Sequence, residues 1–132
     1  MIPQFLAAGT IALLAAAIHG GAGEALVLRK LFAGELPSTR FGGPAATRVM
    51  IRVTWHIATL TFAVLGSALA TCGVLGPGDG CRGIGIVGAS SFTGFVAVAV
   101  VVTLQRPRAL IRHRGPLAFL AVAALTWWGV AI

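Results

Sequence analysis

Residues 45–71 read AATRVMIRVTWHIATLTFAVLGSALAT. Their only charged members, Arg48 and Arg52, fall in the first third, and the remainder is almost wholly apolar or small. A helix needs about 20 such residues to cross the roughly 30 Å of bilayer hydrocarbon. A lone span must satisfy its own backbone hydrogen bonds, which makes it helical. The strict alternation of a barrel strand is absent. Three further runs have the same character: about residues 3–28, interrupted by His19 and Glu24, about 84–104, and about 116–132. The last is the shortest, and Trp127 and Trp128 near its end suit an interfacial aromatic belt. The pattern predicts an all-α fold, a four-helix transmembrane bundle making a single domain of residues 1–132.

Composition agrees. Hydrophobic residues make up 58% of the 132-residue chain and charged residues 10%, whereas a soluble domain covers itself with about 25% charge. The net charge of +7 would point to nucleic acid in a soluble protein. Here the bases lie between apolar runs with few aromatics among them, so topology and lipid phosphate explain them and nucleic acid is not an expected partner. Ala15 to Ala17 resembles a signal-peptidase site, but no Lys or Arg precedes the first apolar run, so the reading is a retained span.

Charge asymmetry sets the expected topology. Arg29, Lys30, Arg40, Arg48 and Arg52 follow the first span, and Arg106, Arg108, Arg112 and Arg114 follow the third. Between the second and third there is one base, Arg82, and one acid, Asp79. The positive-inside rule places the first and third loops in the cytoplasm, and both termini and the middle loop outside. Cys72 and Cys81 bracket that middle loop, with Gly76, Pro77, Gly78 and Gly80 supplying turn chemistry between them. A disulfide there would persist on the oxidising side, where the charge rule puts it. The RPRALIRHR run is expected to dock anionic lipid headgroups through its four arginines.

Helices in lipid associate through small residues and polar contacts. Ala16/Gly20 and Ala17/Gly21 in the first span, and Gly85/Ala89 and Ser90/Gly94 in the third, are the expected contact pairs. So small a bundle is also expected to form homo-oligomers or to join a larger membrane complex.

Ionisable groups inside spans are costly and mark functional candidates. On the 1.5 Å rise per residue, His19 lies about 5 Å and Glu24 about 12 Å to the cytoplasmic side of mid-membrane, and His56 about 3 Å and Arg52 about 9 Å. Each His therefore has a counterpart at similar depth on the neighbouring helix, as do Glu24 and Arg52. Arg48, Arg52 and His56 share a helix face at i, i+4 and i+8, and Thr59 extends it. The expected contacts are Glu24 with Arg52 and His19 with His56. His19 and Glu24 are about 140° apart on a regular helix, but Gly20, Gly21 and Gly23 permit a local departure from it.

Three functions fit those residues. An accessory or structural subunit would use them as polar glue between helices. A transition-metal site, or a b-type haem with axial His19 and His56, would use the imidazoles as ligands and Glu24 as a possible oxygen donor. A proton-coupled transporter of small solutes would titrate Glu24 or His56. In size and layout, with four short spans and one membrane glutamate in the first, the chain resembles the small multidrug resistance transporters. The stretches His19-Gly20-Gly21-Ala22-Gly23-Glu24 and Arg52-Val53-Thr54-Trp55-His56 resemble the H-x3-G-E and R-x-x-W-H stretches of a set of small four-span bacterial membrane proteins. That resemblance implies a bacterial inner-membrane protein with a site at these residues and names no chemistry. No Ser/His/Asp set, phosphate-binding glycine loop or carboxylate pair can be assembled, so catalysis is not the expected role.

Overall fold

The computed structural model describes residues 1–40, 42–104 and 115–132. It is an all-α bundle of four helices: α1, Pro3–Ala33; α2, Pro44–Leu75; α3, Asp79–Thr103; and α4, Gly115–Ala131. The first three are long and apolar enough to cross a membrane. The 17 residues of α4 rise about 26 Å, at the lower end of what a crossing takes. Proline stands in the first turn of both α1 and α2, where its missing N–H is no loss. Gly76, at φ +93°, ends α2, and Asp79 favours the start of α3 by its charge at the amino end of the helix dipole.

The helices run further than the apolar stretches. α1 continues through Arg29 and Lys30 to Ala33, because long basic side chains reach out to the interface without breaking the helix. α2 and α3 take in both cysteines and leave only residues 76–78 as a turn. Cys72 and Cys81 are disulfide-bonded, with Cα atoms 5.3 Å apart, and pin the two helix ends together.

α1 packs mainly on α2 and also on α4, while α3 packs on α4. Phe5, Ala8, Ala12 and Ala16 of α1 form one side of the core, facing Phe62 and Leu69 of α2, Phe92 of α3 and Val122 of α4. The rings of Phe62, Phe92, Phe95 and Phe119 gather at one level, with centroids 4.7–6.2 Å apart. α1 and α2 approach closely at Gly9 and at Gly73, where an added Cβ would come within 2.5 Å of the Ala70 and Leu6 nitrogens. Near this end the Ile2 N–H donates to the Gly73 carbonyl at 2.8 Å, so the start of α1 is satisfied by the other helix.

Two of the expected small-residue pairs do not pack. Ala16, Gly85 and Ala89 are buried and Gly20 is half-buried, but Ala17, Gly21, Ser90 and Gly94 are exposed, with open space beside Gly21 and Gly94. The reason is angular. Ala17 follows buried Ala16, and Ser90 follows buried Ala89, so each is turned about 100° away from the contact face. The close contacts at Gly9, Gly66 and Gly73 take their place.

Candidate functional site

The polar seam lies where the glycine-rich middle of α1 meets α2. Over Ile18–Ala22 and again over Glu24–Leu28, α1 is π-helical: the Gly23 N–H donates to the Ile18 carbonyl and the Arg29 N–H to the Glu24 carbonyl. π turns are rare, bond five residues apart rather than four, and concentrate at functional sites. The wider turn reduces the angle between residues five apart, which brings His19 and Glu24 toward one side of α1. Regular α geometry would have splayed them.

Both meet the same face of α2. Arg52, Trp55, His56 and Thr59 follow at i, i+3, i+4 and i+7, one stripe of a helix. Arg52 Nη2 donates to Glu24 Oε1 at 2.8 Å. The other carboxylate oxygen, Oε2, is buried without a hydrogen-bond donor among the described residues and lies 3.5 Å from His56 Nε2. That distance is an ionic contact once the imidazole is protonated, and it falls short of a good hydrogen bond. Glu24 is therefore held firmly on one side and loosely on the other.

His19 is held differently. Its ring stacks on Trp55, with centroids 4.1 Å apart and planes 13° from parallel, and sets its edge against Phe62 at 5.4 Å. Its Nδ1 is 2.8 Å from Thr59 Oγ1, and that hydroxyl lies 3.1 Å from the Trp55 carbonyl. The hydroxyl has one proton. With that proton on the Trp55 carbonyl, His19 Nδ1–H donates to Oγ1 and the lone pair of the neutral ring sits on Nε2. Trp55 Nε1 donates to the His19 carbonyl at 2.9 Å, tying the π segment to α2 through the backbone. Gly23 makes room for this: a Cβ there would lie 2.5 Å from Trp55 Cζ2.

Glu24 pairs with Arg52 as expected. His19 and His56 are near enough for their charges to interact, but their contacts differ: His56 lies against Glu24, while His19 engages Trp55 and Thr59. Among the described residues no group of three or more His, Cys, Asp or Glu side chains is placed to hold a metal ion. Trp55, a member of the Arg52–His56 stretch, is the packing residue that fixes His19, and its place three residues after Arg52 puts it on the same stripe. Phe32, just past the expected end of the first span, also takes part: the Arg48 and Arg52 guanidinium groups lie 5.6 and 5.2 Å from its ring centre.

The seam opens sideways. The side chains of Arg52 and His56 are each 49% exposed, and that of Glu24 is 22% exposed. Taking α2 as centred on the bilayer, His56 lies about 5 Å and Arg52 about 11 Å from the mid-plane, so this exposed edge is at hydrocarbon depth.

Elsewhere the polar groups are local. The Thr93 hydroxyl donates to the Ala89 carbonyl of its own helix and accepts from Trp127 Nε1 at 3.2 Å. A cavity of about 440 Å³ near Phe5, Asp79, Arg82 and Val130 is at the other end of the bundle and includes no residue of the seam. The headgroup reading of Arg106, Arg108, Arg112 and Arg114 lies outside the described residues. No family model, curated protein or solved structure matches the chain.

Proposed function

We propose that this membrane protein is an accessory or assembly subunit, and that the laterally open edge formed by Glu24, Arg52 and His56 is where a second membrane chain joins it. One observation carries the reading. Two side chains able to bear charge are half exposed on a helix long enough to cross the bilayer. Ionisable groups at such depth face a bundle interior, a water-filled cavity or a polar partner rather than lipid. A second span laid along this edge would complete the surroundings of Arg52 and His56, the two half-exposed side chains. In this reading the first and third loops are cytoplasmic, and the termini and the disulfide-bonded turn face the oxidising side.

The test is site-specific photo-cross-linking in native membranes. A photoreactive residue replaces Val53 or Leu60, beside the seam, or Val98 or Leu120, exposed on α3 and α4. The proposal expects a discrete protein adduct from the first pair and lipid adducts from the second. Lipid adducts from all four positions would refute it.

Proton-coupled transport is a second reading with one observation in its favour: a carboxylate oxygen without a donor lies 3.5 Å from an imidazole, two titratable groups that a small closing movement would bring into hydrogen-bond contact. A liposome proton-flux assay comparing the parent with Glu24→Gln separates the two, since an assembly role predicts no flux in either.

A further inference from the structure

Residues 24–52 hold five bases, Arg29, Lys30, Arg40, Arg48 and Arg52, against two acids, Glu24 and Glu35. Among the described residues only Arg52 is paired with a carboxylate. Arg48 instead donates through Nη2 to the Phe32 carbonyl at 3.1 Å, one of the last carbonyls of α1, which the helix itself leaves without a partner. Its guanidinium lies on the Phe32 ring at 5.6 Å, with that of Arg52 on the same ring at 5.2 Å. One aromatic ring thus holds two guanidinium groups near each other, and a single carboxylate neutralises only one of them. Such an arrangement is short of one anion.

Depth and surroundings identify the anion. With α2 centred on the bilayer, Arg48 is about 17 Å from the mid-plane, just beyond the half-thickness of about 15 Å and so at headgroup level. Arg29 and Lys30 of α1 are also exposed near this end. Beside the cations stand exposed apolar side chains, Val27 and Leu31 on α1 and Val49 on α2. A phosphate with acyl chains satisfies both the charge and the apolar wall, whereas free phosphate satisfies only the charge. We infer that Arg48, held on Phe32 beside Arg52, is the centre of a binding site for the phosphate of an anionic phospholipid at the α1–α2 edge. This site adjoins the subunit-joining edge, with Arg52 at the boundary between them, and its argument does not rest on the function proposed above.

Native mass spectrometry of the full chain in neutral detergent, titrated with phosphatidylglycerol, phosphatidylcholine or inorganic phosphate, tests the inference. One basic residue near the surface is worth about fivefold in affinity for an anionic lipid. Phosphatidylglycerol should bind at least about fivefold more tightly than phosphatidylcholine, and Arg48→Gln should remove about that factor. Phe32→Leu, which keeps every charge and removes the ring, should weaken phosphatidylglycerol binding in the same direction, and inorganic phosphate should not displace the lipid. Retention of the disulfide and of helical circular dichroism checks that the variants fold. Equal affinity for the two lipids would overturn the inference. So would an unchanged preference in both variants, with loss only on neutralising Arg106, Arg108, Arg112 and Arg114. Displacement of the lipid by inorganic phosphate would overturn the assignment to lipid.

Discussion

The Glu24–Arg52 pair offers the most quantitative prediction. Replacing Glu24 with Gln keeps the size and one acceptor oxygen but removes the charge opposite Arg52, whose Nη2 is 2.8 Å away. Breaking a fully buried pair costs about 3–5 kcal/mol, while exposed pairs contribute about 0–1 kcal/mol. With Arg52 49% and Glu24 22% exposed, the pair lies between these limits. Arg52 also keeps its contact with Phe32 and has a side chain long enough to reach toward the interface. An intermediate loss of about 1–2 kcal/mol follows for Glu24→Gln. The double-mutant cycle with Arg52→Gln isolates the pairwise part, which should be about 1 kcal/mol. Reversible unfolding from mild detergent into dodecyl sulfate, followed by circular dichroism, measures all four corners. A coupling energy indistinguishable from zero would mean that the contact contributes nothing and that the reasoning from depth and geometry is wrong.

Other substitutions probe the same seam. Gly23→Ala places a methyl group where Trp55 Cζ2 would be 2.5 Å away; overpacking of this kind costs about 1–3 kcal/mol, so the thermal midpoint in detergent should fall, and an unchanged or higher midpoint would argue against close α1–α2 packing there. Trp55→Phe keeps an aromatic face for His19 but loses the indole N–H on its carbonyl. The expected cost is about 0.5–1.5 kcal/mol in the dodecyl sulfate titration, and a neutral result would remove the backbone tie. Reduction of Cys72–Cys81, or Cys72→Ser, should lower stability by roughly 2–3 kcal/mol for so short a closed loop. In intact cells the thiols should react with a membrane-impermeant maleimide only after reduction, and labelling that requires permeabilisation would reverse the proposed topology.

The fold was legible because lipid imposes strong rules. Long apolar runs must be helices, and Cys72 and Cys81 flank too few residues to be far apart. Matched depth put Glu24 and Arg52 at one level, and the structure has them in contact. The geometry of His19 was not legible, for a specific reason. Regular 3.6-residue spacing turns His19 and Glu24 apart, and the glycines of GGAG permit a departure from it without specifying its form, a hydrogen-bond register that slips by one residue over Ile18–Ala22 and again over Glu24–Leu28. Depth placed His56 near both His19 and Glu24 but could not give the direct contacts, which depend on side-chain reach: Trp55 stacks on His19, and His56 turns its Nε2 to the carboxylate. Small-residue pairs failed as a guide at Ala17/Gly21 and Ser90/Gly94 because, in a chain with 18 glycines and many alanines, spacing alone does not say which face is turned inward.

The central claim is that the widened turns of α1 seat Glu24 on the Arg52–His56 face of α2 within the membrane. Rotational-echo double-resonance NMR on the chain reconstituted in bilayers measures it directly, with carbon-13 at the Glu24 carboxyl and nitrogen-15 in the arginine guanidinium groups. The 2.8 Å nitrogen–oxygen contact predicts rapid dephasing of the Glu24 carboxyl that disappears in Arg52→Lys with unlabelled lysine. A Glu24 signal that never dephases, or one that dephases equally without Arg52, would contradict the account.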